Sequence, residues 1–178
     1  MSKPAGCRPA LIIWAVTYQP EKSDLKNILN VATKDLGRVI SASRLYSFDQ
    51  FSQYYSDEMG TGLLKRLFAF EKIQDQAALV EIKHKAFALE QEFSADGKRT
   101  ANIDPATLSE GNFILSTFKY AAHRPYIGNG VYADLTLIYK NGEFLPLEWT
   151  YPDYREDNIW LWLKNMRDFL IKSYRRSE

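Results

Sequence analysis

The chain has 178 residues, 46% of them apolar, which is the size of one ordinary domain with enough apolar side chain for a core. Its 23 Lys and Arg stand against 22 Asp and Glu, a formal charge of +1, which argues against a surface that is basic throughout and makes any charge-based recognition local. The single cysteine, Cys7, excludes an intramolecular disulfide and a cysteine zinc cluster, and the longest apolar run is seven residues where a bilayer span needs about 20.

In chain order, residues 1–9 are expected to be a flexible tail on one domain spanning 1–178. Residues 10–18 form a continuous apolar, β-branched and aromatic run, which predicts a central strand buried on both faces. Pro20 and Ser23 then introduce an amphipathic helix with Leu25, Ile28, Leu29, Ala32 and Leu36 on its inner face and Gly37 as its C-terminal cap. Residues 38–43 predict a second strand, and 46–55, aromatic and polar without a clean period, a loop or short helix. After Gly60 and Gly62, residues 63–70 predict another strand. From Asp75, the apolar residues Leu79, Ile82, Ala86 and Leu89 recur at helical steps, Asp96-Gly97 makes a turn, and 98–103 return as a short strand. Residues 112–118, 130–139 and 144–150 predict an antiparallel sheet, with Asn141-Gly142 as a hairpin turn. Asp157 or Asn158 caps a last helix whose inner face is Ile159, Trp162, Leu163, Met166, Phe169 and Leu170, with Lys164, Arg167, Lys172 and Arg175 on its solvated face. Without repeats or linker-like stretches, the expected fold is a single α+β domain: a mixed or mainly antiparallel sheet with about three helices packed on it.

The sequence lacks a Gly-x-x-x-x-Gly-Lys-Ser/Thr phosphate loop, a Gly-x-Gly-x-x-Gly turn, a His-Glu-x-x-His pair and a Gly-x-Ser-x-Gly elbow, so four common enzyme classes lose their usual signatures. Glu81-x-x-His84 matches half of a diiron carboxylate signature, but the second copy is missing and no metal is expected. The sequence leaves the identity of any cofactor unknown. No signal-peptide pattern precedes the apolar run, so the expected location is the cytoplasm, with no membrane partner.

The polar residues of interest lie between 83 and 124. Lys83 and Glu90, seven apart, share a helical stripe with Val80 and Phe87 and are candidates for the rim of a pocket. Residues 98–126 sum to +2 and 143–157 to −4, so the near-zero net charge conceals two opposite segments. Arg99, Lys119 and Arg124 offer guanidinium forks and a point charge to a phosphate or carboxylate, and suit surface ion pairs with Glu90, Asp104 and Glu110 equally well. His123 is the candidate general acid or base, because histidine side chains ordinarily change charge near neutral pH, with Asp104 or Glu90 to orient it, although a lone histidine beside an arginine is more often structural. Asn102-x-Asp104-Pro105 is expected to be a turn, as is Tyr151-Pro-Asp-Tyr154 before the last helix.

Tyr54-Tyr55, Glu58-Met-Gly60, Lys83, Glu90, Arg99-x-x-Asn102-x-Asp104-Pro105, Thr117-x-Lys119, His123-Arg124, Thr136-Leu137 and Thr150-Tyr-Pro-Asp153 together resemble a prokaryotic family of uncharacterised proteins, the domain of unknown function 4416. The resemblance runs over almost the whole chain and implies no established reaction. Where the family has Asp-Pro-Gly-Tyr, this chain has Asp104-Pro-Ala-Thr107, so a role for that glycine or tyrosine does not carry over. Some members carry a "GTP-binding" label, which has no phosphate loop behind it here.

The expected function is a pocket for an anionic small molecule, a nucleotide or phosphorylated metabolite. Lys83, Arg99, Asn102, Lys119 and Arg124 would bind it, with His123, Asp104 and Glu90 as candidate catalytic groups. The alternative is a noncatalytic module binding single-stranded RNA or a protein through Tyr46, Phe48, Tyr54 and Tyr55 and the basic end Tyr174-Arg-Arg176. A concave site gathering Lys83, Arg99, Lys119 and His123 would favour the pocket.

Overall fold

The apolar run near the start forms strand β1 (Ala10–Tyr18), buried along its whole length. In the computed structural model, which describes residue 3 and residues 6–177, the elements that follow are α1 (Leu25–Leu36), β2 (Val39–Ala42), β3 (Tyr46–Ser47), α2 (Ser56–Met59), β4 (Leu64–Gln74), α3 (Leu79–Glu92), β5 (Ala101–Leu108), β6 (Asn112–Thr117), β7 (Tyr126–Gly128), β8 (Val131–Lys140), β9 (Glu143–Pro146) and α4 (Asp157–Ser177). The strands form one sheet in the order β2-β4-β1-β5-β6-β8-β7, with β3 on β4 and β9 on β8. Every pairing is antiparallel. The expected α+β class therefore holds, with four helices. No helix among the described residues is long and apolar enough to cross a membrane.

Side chains alternate across a strand, so β1 feeds two cores at once. Leu11, Ile13 and Ala15 pack with Ile159, Leu163 and Leu170 of α4 on one face. Ile12, Trp14 and Val16 pack with Ile28, Ala32 and Leu36 of α1 and with Ile82, Ala86 and Leu89 of α3 on the other. The result is three layers, with α4 on one side of the sheet and α1 and α3 on the other. Asp24, rather than Ser23, caps α1 by accepting the Asn27 N–H. Asn141 and Gly142 both have positive φ, as the two-residue turn from β8 to β9 requires.

Several expectations need correction. Residues 46–55 hold strand β3 and a 3₁₀ turn (Phe48–Gln50), and α2 begins at Ser56. Phe48, Met59 and Leu63 close a third small core there, and the Asp49 carboxylate, accepting the Gly62 and Leu63 N–H groups at 2.6 and 3.3 Å, ties the segment to β4. Arg167 is not a solvated residue: its guanidinium lies 3.7 Å from the Tyr139 ring centre and its Nε donates to the Glu110 carbonyl. Phe169, assigned to the inner face of the last helix, is 38% exposed. Of the tail, residues 1, 2, 4 and 5 lie outside the described residues, while Arg8 pairs with Glu110 and the Pro9 carbonyl accepts from the Tyr174 hydroxyl.

The main correction concerns Asn102-x-Asp104-Pro105, which lies within β5 and is not a turn. The pairing of β5 with β6 covers only Ala106–Leu108 against Phe113–Leu115 and stops at Pro105. Proline has no N–H to leave unpaired at the point where the strands part, and its carbonyl accepts from the Ser116 hydroxyl at 2.7 Å. Towards the Ala101 end, β5 pairs with β1 on one side, and a fork opens towards β6 on the other.

Because neighbouring residues of β1 serve separate cores, Ile12→Ala and Ile13→Ala should each destabilise the protein by about 2–5 kcal/mol in urea unfolding. In a strand with one solvated face, only one of the two would.

Candidate functional site

The fork leaves both backbone groups of Ile103 facing away from β1 with no strand to meet them, and a buried backbone group must find a partner. Helix α3 supplies two. The Glu90 carboxylate accepts the Ile103 N–H at 2.5 Å, and the Lys83 ammonium donates to the Ile103 carbonyl at 3.1 Å. Both side chains are therefore buried, at 5% and 3% exposed for Lys83 and Glu90, and are not at a rim as expected.

Across the α4 face of the sheet, the inward positions change from apolar to polar towards the fork. Ala15 gives way to Thr17 in β1, Leu67 to Lys65 in β4, and Ala106 to Asp104 and Asn102 in β5. Thr17 is the cross-strand neighbour of both Lys65 and Asn102. A cavity of about 450 Å³ occupies this end, walled also by Phe118 and Lys119 beyond β6, by Phe48, Tyr54 and Tyr55 from the segment around α2, and by Tyr151 to Tyr154. Residues Pro152–Arg155 form a 3₁₀ turn, close to the expected rigid turn, but Asp153 in it is buried and belongs to the cavity wall.

Most charges in and behind this wall are paired. Lys65 pairs with Asp153 at 2.5 Å, the same carboxylate oxygen accepts from the Tyr46 hydroxyl at 2.9 Å, and the Lys65 ammonium lies over the Tyr154 ring. Lys83 pairs with Asp104 at 3.1 Å. Arg99 makes a two-pronged contact with Glu58 at 2.7 and 2.8 Å, and its other nitrogen donates at 3.0 Å to both Glu90 and the Asn102 carbonyl oxygen. Asn102 in turn donates to Asp104 at 2.7 Å. Arg124 pairs with Asp134 at 2.9 Å and donates to the Tyr151 hydroxyl.

Lys119 differs. Among the described residues it has no carboxylate within 4 Å, and its ammonium donates to the Tyr54 hydroxyl at 2.5 Å.

These surroundings move several proton affinities. The hydrogen bonds from Arg99 hold the Glu58 carboxyl below the usual range. Burial alone would raise Asp104, but Lys83 and Lys65 outweigh it and hold that carboxyl low. Burial pushes Glu90 up against the pull of Lys83 and the Ile103 N–H. Burial also raises the Tyr55 hydroxyl, which stays protonated.

Of the residues singled out in the sequence, Lys83, Glu90, Arg99, Asn102, Asp104 and Lys119 converge on the cavity, and His123 and Arg124 do not line it. The His123 ring stacks on Trp149 with centres 4.7 Å apart, and its Nε2 is 3.7 Å from Asp134, behind the wall. Arg99 of the basic stretch reaches the cavity already paired with acids from α2 and α3, and the acidic segment 143–157 contributes Asp153, which pairs with Lys65 of β4. Sequence reasoning missed Lys65, Thr17, Phe118 and Asp134. Lys65 had a signal, a lysine sharing strand parity with Leu67 and Ala69. Asp134 had none, because it comes opposite Leu115 only through a register shift between β6 and β8. Glu81 and His84, the half signature for a metal, are engaged with Lys85 and the Asn129 carbonyl.

Two outcomes test this account. Lys83→Met leaves the Ile103 carbonyl and Asp104 without their cation and should cost about 3–5 kcal/mol in urea unfolding. Glu58→Gln should destabilise at neutral pH by an amount that shrinks on acidification. The folded Glu58 carboxyl binds its proton less readily than the unfolded one, so its contribution is complete above the ordinary glutamate range and vanishes as pH falls through the lower folded value. The difference between variant and wild type should narrow below about pH 4, and a difference that stays constant to pH 3 would contradict the pairing.

No curated protein and no solved structure significantly matches the chain. The family model described as a domain of unknown function, DUF4416, matches residues 8–169. A match of that length shows that this chain belongs to the DUF4416 family.

Proposed function

We propose that the cavity at the fork binds a small molecule with a flat body and a single anionic group, a nucleoside monophosphate or a comparable phosphorylated metabolite, in the cytoplasm of a prokaryotic cell. The observation that carries this reading is the convergence of Lys83, Glu90, Arg99, Asn102, Asp104 and Lys119 on one concave, aromatic-walled space of about 450 Å³. That volume lies in the range of small-molecule sites. Matched charges inside the wall would not attract a polyanion, because each inner cation already has its carboxylate. Lys119 at the mouth is the cation left for the ligand's acid group, with the Phe118 and Tyr54 rings beside it for the flat body. Arg99 then acts by holding Asn102 and Asp104, and Arg124 by supporting the wall through Asp134 and Tyr151. His123 has no place in this scheme as a catalytic group, and Asp104, held ionised, suits a hydrogen-bond acceptor better than a general acid.

A second reading, a noncatalytic surface for single-stranded RNA or a protein, draws on different aromatics from those first considered. Tyr46, Phe48 and Tyr55 are turned into the fold, and the Arg176 side chain lies outside the described residues. Tyr54, Tyr120 and Tyr126, 66%, 75% and 61% exposed, are the rings that favour it. Oligonucleotide binding that falls steeply with salt and is lost in Tyr120→Ala would mark this reading.

The pocket reading is tested by thermal melts with a panel of nucleoside monophosphates and sugar phosphates. A true ligand at a hundredfold excess over its Kd should raise the Tm by about 5–10 °C. The shift should fall sharply in Lys119→Ala and in Phe118→Ala, both exposed enough to change without unfolding the protein. If no member of the panel shifts the Tm at millimolar concentration, the reading is wrong.

A further inference from the structure

Resting on that pocket reading, we infer that the inner wall recognises an amino-substituted heteroaromatic ring, one presenting a ring N–H beside an exocyclic amino group, through the Asp104 carboxylate. Asp104 accepts one bond on each oxygen, from Lys83 on Oδ1 and from Asn102 on Oδ2. A carboxylate has about four acceptor positions, so one on each oxygen is left over. The side chain keeps 30% of its surface accessible although Lys83 beside it keeps 7%, and it lines the cavity. Two adjacent acceptors therefore face the space a ligand would fill.

Their orientation is fixed. Asn102 is held by Arg99, which is held by Glu58 and Glu90, so the carboxylate can neither turn away nor be recruited by another group without breaking a chain of charged contacts. Burial is outweighed by the neighbouring lysines, and the group stays ionised and acceptor-only at neutral pH.

The complement of two parallel acceptors is two parallel N–H donors. The charge of Asp104 is already matched by Lys83, and Lys65 and Arg99 stand in the same wall, so a neutral donor pair fits better than an ammonium or a guanidinium. The Tyr55, Phe87 and Phe118 rings line the same space and suit a flat body. A ring offering only carbonyl oxygens at that edge would set acceptor against acceptor and leave both uncompensated. The N1–H and 2-amino edge of guanine and the N3–H and 2-amino edge of a pterin have the required pattern, and both sources share one chemistry.

Calorimetric titration of the whole chain with matched pairs tests the inference. Guanosine monophosphate is compared with inosine monophosphate, and 6-carboxypterin with 6-carboxylumazine; within each pair the second compound lacks the 2-amino group. The amino compound of at least one pair should bind about tenfold or more tightly than its partner, and the pair that binds identifies the source. Asp104→Asn should erase the preference while Lys119 still holds the anion. The comparison within the wild type stands even if that variant does not fold. Equal binding within both pairs would overturn the inference and leave the pocket reading intact. No binding of any of the four, with a sugar phosphate still raising the Tm, would overturn the inference alone, and silence from every probe would overturn both.

Discussion

The constraint on which the rest depends is the pairing of one residue's backbone. Where β5 leaves β6 at Pro105, the N–H and C=O of Ile103 point into a gap in an otherwise continuous sheet. Leaving them there unpaired costs about 1–3 kcal/mol each. The protein meets this by bringing a carboxylate and an ammonium from α3 into the gap, and these are seven residues apart so that two turns of helix span one strand residue from both sides. A pair of buried opposite charges then fixes what may surround it. Lys83 and Glu90 each need a further partner, which Asp104 and Arg99 provide, and Arg99 in turn requires Glu58 from α2. The polar wall of the cavity thus grows outward from a fault in the sheet.

This origin identifies which charges serve the scaffold. Lys83 and Glu90 are the most buried charges on α3 and the most tempting catalytic pair, yet the Ile103 backbone accounts for both. The Lys65 and Asp153 pair, sealed by Tyr46 and by the Tyr154 ring, is likewise held on all sides. Buried pairs of this kind add little net stability compared with apolar residues of the same size, but losing one member leaves an uncompensated charge, so they fix geometry more than they add free energy. Outside these pairs, the cavity wall presents the accessible carboxylate of Asp104, the Lys119 ammonium on the Tyr54 hydroxyl and the aromatic faces.

How much of this was legible in the sequence depends on the distance over which each signal acts. The β1 run, the α1, α3 and α4 stripes and the Asn141-Gly142 turn are local periodicities, and all appear close to where they were expected. The polar residues between 83 and 119 were visible as a group for the same reason, being interleaved with apolar ones in otherwise regular elements. Asn102-x-Asp104-Pro105 was misjudged because Asn, Asp and Pro favour turns in isolation, whereas here the proline sits where a strand loses its neighbour, a circumstance set by β6 and α3. The partner of Arg99 in α2, 41 positions earlier, and Asp134, aligned by a register shift, have no local signature at all. Charge balance failed as a guide on the same ground, since summing residues 98–126 as a basic segment ignores the acids that reach Arg99 from α2 and α3.

The same reasoning explains why His123 was attractive and why its position sets it apart from the cavity. A side chain that titrates near neutrality is useful only within hydrogen-bond reach of the reacting atom, directly or through one water. His123 is stacked on Trp149 and faces Asp134 from outside the wall, and the best acceptor of Asp134 is already given to Arg124 at 2.9 Å. Inside the wall, the accessible acid is a carboxylate held ionised by two lysines, whose protonation is opposed by its surroundings. The accessible acid of this wall thus resists taking a proton, and the buried acid with a raised proton affinity is committed to a backbone N–H.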